Sequence, residues 1–323
     1  MLLWHHTKKE NEFKSKTPIS LRKLSALIKA ARLRTLPLSI SGVVVGTALA
    51  NFYDNIDNTL LFVLALLTTI GFQITSNFAN DYGDGVKGTD NENRIGPKRV
   101  LQSGLLTRAE LKKIIIVSII INCLLVIAVV ELAFGLENLG YFLLFILLGA
   151  ASIWASVKYT VGKSAYGYRG LGDVFVFLFF GLLAVLGSMF LYTKSITQLA
   201  ILPAITIGLL SVGVLNLNNL RDHESDKISG KNTLVVLMGF SNGKKYHTLL
   251  LIVSFLSMLT FIILSFKTWK QFIPLTSFVP IFLHLIKVWK TKKPVLLDSE
   301  LKKLALSTFL LALLFYICFN IIL

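Results

Sequence analysis

Acidic and basic side chains alternate between Asn77 and Gly104, in a stretch that separates two long apolar runs. The stretch carries Asp81, Asp84, Asp90 and Glu92, and among them Lys87, Arg94, Lys98 and Arg99. Mg²⁺ prefers hard oxygen ligands, usually one or two carboxylates together with phosphate oxygens of a substrate. Lysine and arginine neutralise the remaining phosphate charge. This composition predicts a magnesium-bridged site for a di- or triphosphate.

A second stretch, from Asn216 to Thr233, repeats the pattern. Asp222 and Asp226 are four residues apart, as are Asn80 and Asp84, so each pair shares one face of a helix. Two such sites could hold two metal ions on one diphosphate. The alternative is ordinary solvated loop charge. The matched spacing, followed in each stretch by a Lys-Gly or Gly-Lys pair, favours the metal site.

The two stretches resemble the aspartate-rich motifs of the UbiA superfamily of intramembrane aromatic prenyltransferases. In most of that superfamily the first motif runs Asn-Asp-x-x-Asp-x-x-x-Asp, whereas this chain has Gly88 at the last position and its next carboxylate at Asp90. This difference and the continuation KGTDNENRIGPKRVLQSG resemble the branch that prenylates 1,4-dihydroxy-2-naphthoate in menaquinone synthesis. The segments YGYRGLGDVFVFLFFG and NNLRDHESDKISGKNTLVVLMG, beginning at Tyr166 and Asn218, also resemble that branch.

The resemblance implies a polyprenyl diphosphate and 1,4-dihydroxy-2-naphthoate as substrates, with Mg²⁺ as cofactor. The ring would lose its carboxylate as the chain is attached, and the product would be demethylmenaquinone. One alternative is a UbiA-type enzyme acting on 4-hydroxybenzoate, haem or a chlorophyll precursor. A membrane transporter is the other alternative, but transporters place ionisable groups inside the spans, and here nearly all of them fall outside.

The composition indicates an integral membrane protein, because 54% of the 323 residues are hydrophobic and only 15% are charged. A soluble domain would have about 25% charged residues. The net charge of +16 does not indicate nucleic-acid binding, since the cations fall in alternate loops instead of one basic domain. The isolated residues Cys123 and Cys318 lie in apolar runs and predict neither a disulfide nor a metal site.

We predict an all-α fold with nine transmembrane helices in one bundle. Residues 1–20 are predicted to be a disordered basic tail, residues 21–34 an amphipathic helix at the membrane interface, and residues 35–323 the transmembrane domain. Apolar runs long enough to cross about 30 Å of hydrocarbon lie near 35–53, 60–79, 114–134, 139–160, 173–192, 197–216, 248–266, 272–290 and 304–323.

The distribution of basic residues predicts the orientation of the bundle. Of the 33 lysines and arginines, thirty fall in the N-terminal arm and in the loops after the second, fourth, sixth and eighth spans. The positive-inside rule then places the N-terminus inside and the C-terminus outside. Both acidic stretches lie on the cytoplasmic side of the cell membrane, where the loops are predicted to form a cap.

Two further groups are candidates for substrate binding. The loop from Lys158 to Gly172 contains Tyr159-x-x-x-Lys163, whose spacing matches one helical turn, and then Tyr168 and Arg169. Its alternative role is a tight basic connection between two helices. Arg32 and Arg34 precede the first span, where they could bind an acidic aromatic substrate or serve only as a basic flank.

These considerations assign roles to individual residues. The predicted metal ligands are Asn80, Asp81, Asp84, Asp90, Asp222 and Asp226, of which Asp84, Asp90, Asp222 and Asp226 are the predicted catalytic groups. The predicted substrate-binding residues are Arg32, Arg34, Asn77, Lys87, Arg94, Lys98, Arg99, Tyr159, Lys163, Tyr168, Arg169, Asn219, Arg221 and Lys231. His284, inside the eighth span, is predicted to be a packing histidine.

Overall fold

The computed structural model describes residues 19–89 and 99–321. The predicted site residues Asp90, Arg94 and Lys98 lie outside this part of the chain, as does nearly all of the predicted tail. Within the described ranges the regular structure is helical, without strands. Nine helical segments there are long and apolar enough to cross a membrane. The predicted all-α class and the number of spans are therefore confirmed.

The helices follow one another through short connections. In chain order they are α1 Ile19–Ala31, α2 Leu36–Asp54, α3 Thr59–Lys87, α4 Arg108–Phe134, α5 Leu139–Lys158, α6 Gly172–Thr193, α7 Ile201–Ile228, α8 Leu234–Met238, α9 Phe240–Leu264, α10 Phe278–Lys290 and α11 Asp298–Tyr316. Within α6, Phe177–Gly187 is π-helical, and a 3₁₀ segment, Trp269–Ser277, leads into α10. The chain after α11 continues as a π-helical turn, Ile317–Ile321.

The helices α3 and α7 extend well beyond the apolar runs that predicted them. The predicted spans end near residues 79 and 216, whereas the helices end at Lys87 and Ile228. Hydropathy detects only the apolar part of a helix. The hydrogen-bonded backbone continues until it reaches a residue that favours a non-helical conformation. Gly88 and Gly230, both with positive φ, provide those stops. Asp81, Asp84, Asp222 and Asp226 therefore lie on helical extensions instead of loops.

The helix α7 lies at the centre of the bundle and packs against α6, α9 and α11. Two glycines, Gly181 on α6 and Gly208 on α7, lie against each other where these helices pack. A Cβ atom added to Gly181 would lie 2.6 Å from the Cα of Gly208, so this contact requires the absence of a side chain. Small residues allow the backbones of membrane helices to approach in this way.

The predicted amphipathic helix of residues 21–34 corresponds to α1, which ends at Ala31 and is followed by Arg32 in the left-handed conformation. Its alanines Ala26, Ala30 and Ala31 are buried in a cluster with Phe78 and Leu111. Its leucine and isoleucine side chains point outward, at Leu21, Leu24 and Ile28. The helix therefore presents an apolar stripe to its surroundings, and its position at a membrane interface stays a prediction.

Candidate active site

The two aspartate motifs meet at one small polar pocket of about 20 Å³. Asp84 from α3 and Asp222 and Asp226 from α7 line it, and all three are buried. The other lining residues are Thr89, Arg99, Asn218, Ser225 and Lys231. The helical extensions of α3 and α7 thus bring together acidic residues that are far apart in the sequence.

Asp84 is held by the loop between α5 and α6. The phenol of Tyr168 donates a hydrogen bond to Asp84 Oδ1 at 2.8 Å, and the Thr89 hydroxyl lies 2.6 Å from the same phenol oxygen. Because the phenol has one proton, Thr89 must donate the second of these bonds. The Lys87 ammonium lies 3.7 Å from the centre of the Tyr168 ring. The predicted substrate ligand Tyr168 therefore contacts the acidic motif directly.

Asp226 and Lys231 face each other across the turn that ends α7. Lys231 Nζ lies 3.9 Å from Asp226 Oδ1, and the Lys231 backbone N–H donates to the Asp226 carbonyl at 2.8 Å. Burial alone would lower the pKa of Lys231. The carboxylates of Asp84 and Asp226 outweigh that effect, so the pKa of Lys231 is above its ordinary value. The neighbouring carboxylates therefore favour the charged ammonium form of Lys231 in the pocket.

Asp222 is bound by the preceding residue, Arg221. Arg221 Nε donates to Asp222 Oδ1 at 2.7 Å, and Arg221 Nη2 donates to Asp222 Oδ2 at 2.6 Å. The same guanidinium donates to Asn218 Oδ1 at 2.8 Å and, through Nη1, to Asp298 Oδ1. Neither Asn218 nor Asp298 is among the site residues predicted from the sequence. Asn218 lies three residues before Arg221 on α7, a spacing that could have indicated the contact, whereas nothing in the sequence around Asp298 indicated a contact with Arg221.

Asp81 lies between two arginines. Arg32 Nη2 and Arg99 Nη1 are 2.6 Å and 2.8 Å from Asp81 Oδ1, and Asp81 is only 1% exposed. It lines the large cavity described below and does not line the small polar pocket. These contacts favour a role in positioning Arg32 and Arg99, and they give its predicted role as a metal ligand no support.

Asn77 and Asn80 make contacts that fix neighbouring segments. Asn77 Nδ2 donates to the Ala31 carbonyl at 2.9 Å, which holds the end of α1, and the Thr160 hydroxyl lies 3.2 Å from Asn80 Oδ1. A Cβ atom on Gly83 would lie 2.5 Å from the Thr160 hydroxyl oxygen, so the loop after α5 packs tightly on the motif. Asn219 is buried, and its Oδ1 has no hydrogen-bond partner in the described ranges.

The remaining predicted substrate ligands divide into two groups. Tyr159 and Arg34 line the large cavity, and burial raises the pKa of Tyr159 to about 12. Lys163 and Arg169 are exposed and line neither pocket. The predicted helical turn joining Tyr159 to Lys163 is not formed, because α5 ends at Lys158 and Gly162 takes a φ of 91°. No contact described here supports a role for Lys163 or Arg169.

A cavity of about 1270 Å³ extends from the aspartate motifs into the bundle. Its charged end is lined by Arg32, Asp81, Asp84, Arg99, Arg221 and Lys231. Its apolar part is lined by side chains such as Val43, Ala65, Val126, Phe145, Phe179 and Leu183. Ordinary ligand pockets have volumes of about 300–1,000 Å³. The shape and chemistry suit a long hydrocarbon with a polyanionic head.

The donor set at the charged end fits a divalent cation only in part. In the residues described, no three His, Cys, Asp or Glu side chains are grouped to hold a metal ion by themselves. The pocket does supply three carboxylates. Asn219 does not line it, but its buried oxygen, unpartnered within the described part of the chain, lies one helical turn before Asp222 on α7. Mg²⁺ commonly uses one or two carboxylates and completes its shell with phosphate oxygens and water. The residues therefore fit ions shared with a phosphorylated ligand.

Comparison with known proteins identifies relatives of this chain. A 1,4-dihydroxy-2-naphthoate octaprenyltransferase of Escherichia coli strain K12 is 44% identical over 249 residues, covering 77% of this chain and 80% of the relative. The enzyme of the same name from Haemophilus influenzae is 42% identical over 301 residues, covering 93% of this chain and 96% of the relative.

Solved structures show the same fold at low sequence identity. A UbiA homologue from Aeropyrum pernix K1 has a TM-score of 0.67 at 13% identity and covers 88% of this chain and 97% of that chain. A homologue from Archaeoglobus fulgidus, bound to DMAPP and Mg²⁺, has a TM-score of 0.60 at 13% identity and covers 92% and 99%. The model of the UbiA prenyltransferase family matches residues 39–313. With this match and the two naphthoate relatives, the chain belongs to the UbiA prenyltransferase family.

Proposed function

We propose that this protein transfers a polyprenyl chain from a polyprenyl diphosphate to 1,4-dihydroxy-2-naphthoate. The ring carboxylate is lost, diphosphate is released and demethylmenaquinone is formed. The observation that carries the proposal is a buried acidic pocket at the charged end of a long apolar cavity. The choice of acceptor is supported by the names of the relatives at 44% and 42% identity.

The charged end binds the diphosphate. Lys231 provides a buried positive charge beside Asp84 and Asp226, and Arg99 lines the same small pocket. Asp84, Asp222 and Asp226, with Asn219, are the residues that would hold Mg²⁺. When bound, Mg²⁺ neutralises the charge that develops on the departing diphosphate. The fixed ammonium and guanidinium groups stabilise the same charge.

The apolar part of the cavity binds the prenyl chain and keeps water from its reactive carbon. An allylic carbocation formed as diphosphate departs would otherwise react with water to give an alcohol. Tyr159 lines the cavity and, like any phenol whose pKa is 10 or higher, is neutral at ordinary pH. A neutral aromatic ring facing the cavity stabilises a nearby cation through its π-electrons.

Arg32 and Arg34 are the proposed ligands of the acceptor carboxylate. Both line the cavity near its charged end. Arg32 is held by Asp81 at 2.6 Å, which fixes its guanidinium before substrate arrives. Arg34 is exposed, so it can meet an acidic substrate entering from water.

The proposal includes the position of the protein in the cell. The protein would lie in the cytoplasmic membrane with its N-terminus inside and its C-terminus outside, an orientation supported by the distribution of basic residues among the loops. The aspartate motifs then lie on the cytoplasmic face, where the loops after α3, α5 and α7 form the predicted cap. The naphthoate would reach the site from that side, and the released diphosphate would leave on it.

Membranes containing the protein test this function directly. They are supplied with 1,4-dihydroxy-2-naphthoate and a polyprenyl diphosphate, with Mg²⁺ or with EDTA, and the lipid extract is analysed by mass spectrometry. We expect demethylmenaquinone with Mg²⁺ and none with EDTA. Product only when 4-hydroxybenzoate replaces the naphthoate would retain prenyl transfer and overturn the proposed acceptor.

A further inference from the structure

Arg221 is buried and shares its positive charge between two carboxylates. It is 2% exposed, and four of its five N–H groups donate to Asp222, Asn218 and Asp298 in the described structure. Asn218 and Asp222 lie on the same helix as Arg221, within one turn of it. Asp298 begins α11 and is the partner that comes from another part of the bundle. The position of the guanidinium relative to that other helix is therefore set by Asp298.

Asp298 lies where it can act on the site. Its side chain is 44% exposed and, like Arg221, it lines the large cavity. Its place in the first turn of α11 is favourable for a negative charge because of the helix dipole. The carboxylate is thus held at the cavity wall, on the side of Arg221 away from Asp222.

We propose that Asp298 is a positioning residue for the second aspartate motif, which holds Arg221 so that Asp222 can bind a divalent cation. This inference rests on the proposed function. Asp222 has both oxygens bonded to Arg221 and lines the small acidic pocket. With Asp298 present, the guanidinium charge is balanced by two carboxylates. Without it, Arg221 neutralises Asp222 alone, and the pocket attracts a cation less strongly.

Direct ion binding tests the proposal without relying on turnover. Mn²⁺ binding to the purified protein is measured by electron paramagnetic resonance, with and without inorganic pyrophosphate. We expect Asp298→Asn to bind Mn²⁺ about tenfold more weakly, which is the lower end of the effect of residues that act through a metal ligand. Asp298→Glu, which keeps the carboxylate, should recover most of the affinity.

Glu224→Gln is the matched control. Like Asp298→Asn, it removes one negative charge, but from α7 instead of α11. The Glu224 side chain is 72% exposed, and its Oε1 lies 3.9 Å from His223 Nε2. We expect wild-type Mn²⁺ affinity in this variant. Equal weakening in Glu224→Gln and Asp298→Asn would show an effect of net charge alone and overturn the positioning role. Wild-type affinity in Asp298→Asn would overturn it as well.

Two further results separate the possible failures. If Asp298→Asn does not fold, Asp298→Ser is used, because serine suits the start of a helix and also removes the carboxylate; the same tenfold loss is expected. Mn²⁺ binding by the wild type without naphthoate product would overturn only the proposed acceptor. Absence of Mn²⁺ binding by the wild type, with pyrophosphate present, would overturn the metal site and this inference together.

Discussion

Asp84 and Asp226 belong to different helices but share Lys231. The raised pKa of that lysine has both carboxylates among its causes. The ammonium lies 3.9 Å from Asp226 Oδ1, and all three residues line the same small pocket. At the scale of single residues, the site is therefore a balanced cluster of charges and not an open group of free acids.

We expect Asp84→Asn and Asp226→Asn each to lower prenyl transfer by about 100-fold or more, because each removes charge that binds and polarises the diphosphate. The amide keeps the shape of the side chain, so the protein should still fold. Product formation in membranes measures the effect at equal protein level. Glu224→Ala, on the exposed side of α7, is the control and should keep full activity. Near-normal, Mg²⁺-dependent activity in both Asn variants would exclude the shared site.

Tyr168→Phe tests the contact between the α5–α6 loop and the first motif. The variant removes the hydrogen bonds to Asp84 and Thr89 but keeps the ring beside Lys87. We expect prenyl transfer to fall about tenfold, since removing a residue that hydrogen-bonds to a metal ligand and orients it commonly lowers metal affinity or activity by about 10–100-fold. The Mg²⁺ concentration for half-maximal activity should rise.

The matched control for that variant is Tyr141→Phe. Tyr141 is a partly exposed residue whose recorded contacts are with the rings of Phe134 and Phe190. Its loss of a hydroxyl should leave both activity and Mg²⁺ dependence unchanged. An equal effect of the two substitutions would argue against a specific role for the Tyr168 phenol.

Close packing between helices depends on glycines and on a few buried polar contacts. Asn122 on α4 donates to the Thr75 hydroxyl of α3 at 2.8 Å, and its Oδ1 lies against Gly71. His284, predicted as a packing residue, lies 3.0 Å from His247 and 2.8 Å from Glu300, all three buried. These contacts join α9, α10 and α11, so His284 is part of a polar network between helices.

Gly71→Ala should destabilise the contact between α3 and α4. The added Cβ would lie 2.1 Å from Asn122 Oδ1, so Asn122 must move and give up its bond to Thr75. We expect a loss of about 1–3 kcal/mol in the free energy of unfolding, which is usual for overpacking. Thermal unfolding in lipid nanodiscs measures it.

Gly140→Ala is the control for this prediction, since nothing lies within 4 Å of the added Cβ. Alanine also favours helix more than glycine does, so this variant should be at least as stable as the wild type. Adding Asn122→Ala to Gly71→Ala should restore part of the lost stability by relieving the clash. No recovery in the double variant would assign the loss to another contact.

The whole bundle places its chemistry at one end. Both aspartate motifs, the α5–α6 loop and the start of α11 surround the charged end of the cavity. The loop after α6 lies at the opposite end of that helix, and its residues Lys194 and Ser195 are exposed. The bundle is thus polarised, and the orientation in the membrane decides which compartment supplies the substrates.

The proposed orientation predicts which loops react with a membrane-impermeant thiol reagent. In a background without Cys123 and Cys318, Ser195→Cys should be labelled in intact cells. Lys163→Cys should be labelled only after the membrane is permeabilised. The two positions are both exposed, so each serves as the control for the other. The reverse pattern would show that the aspartate motifs face outward.

The amino-acid sequence by itself determined the class of fold, the number of spans and the two motifs. In lipid, the backbone N–H and C=O groups of a long apolar run must form their hydrogen bonds within the protein, and an α-helix is the simplest structure that does so. The spacing of Asp222 and Asp226 indicated one helical face because side chains four residues apart lie one turn apart. The family resemblance added the substrates, and relatives with the corresponding name agree with it.

The tertiary structure alone decided which charges meet. Asp81 pairs with Arg32 and Arg99, and Arg221 pairs with Asp298, because packing brings distant segments together. Composition and spacing describe only neighbours along the chain, so they revealed neither the arginine partners of Asp81 nor the role of Asp298. They also placed Lys163 one helical turn from Tyr159, although the backbone turns away at Gly162. Such contacts depend on how whole helices pack, which no local pattern contains.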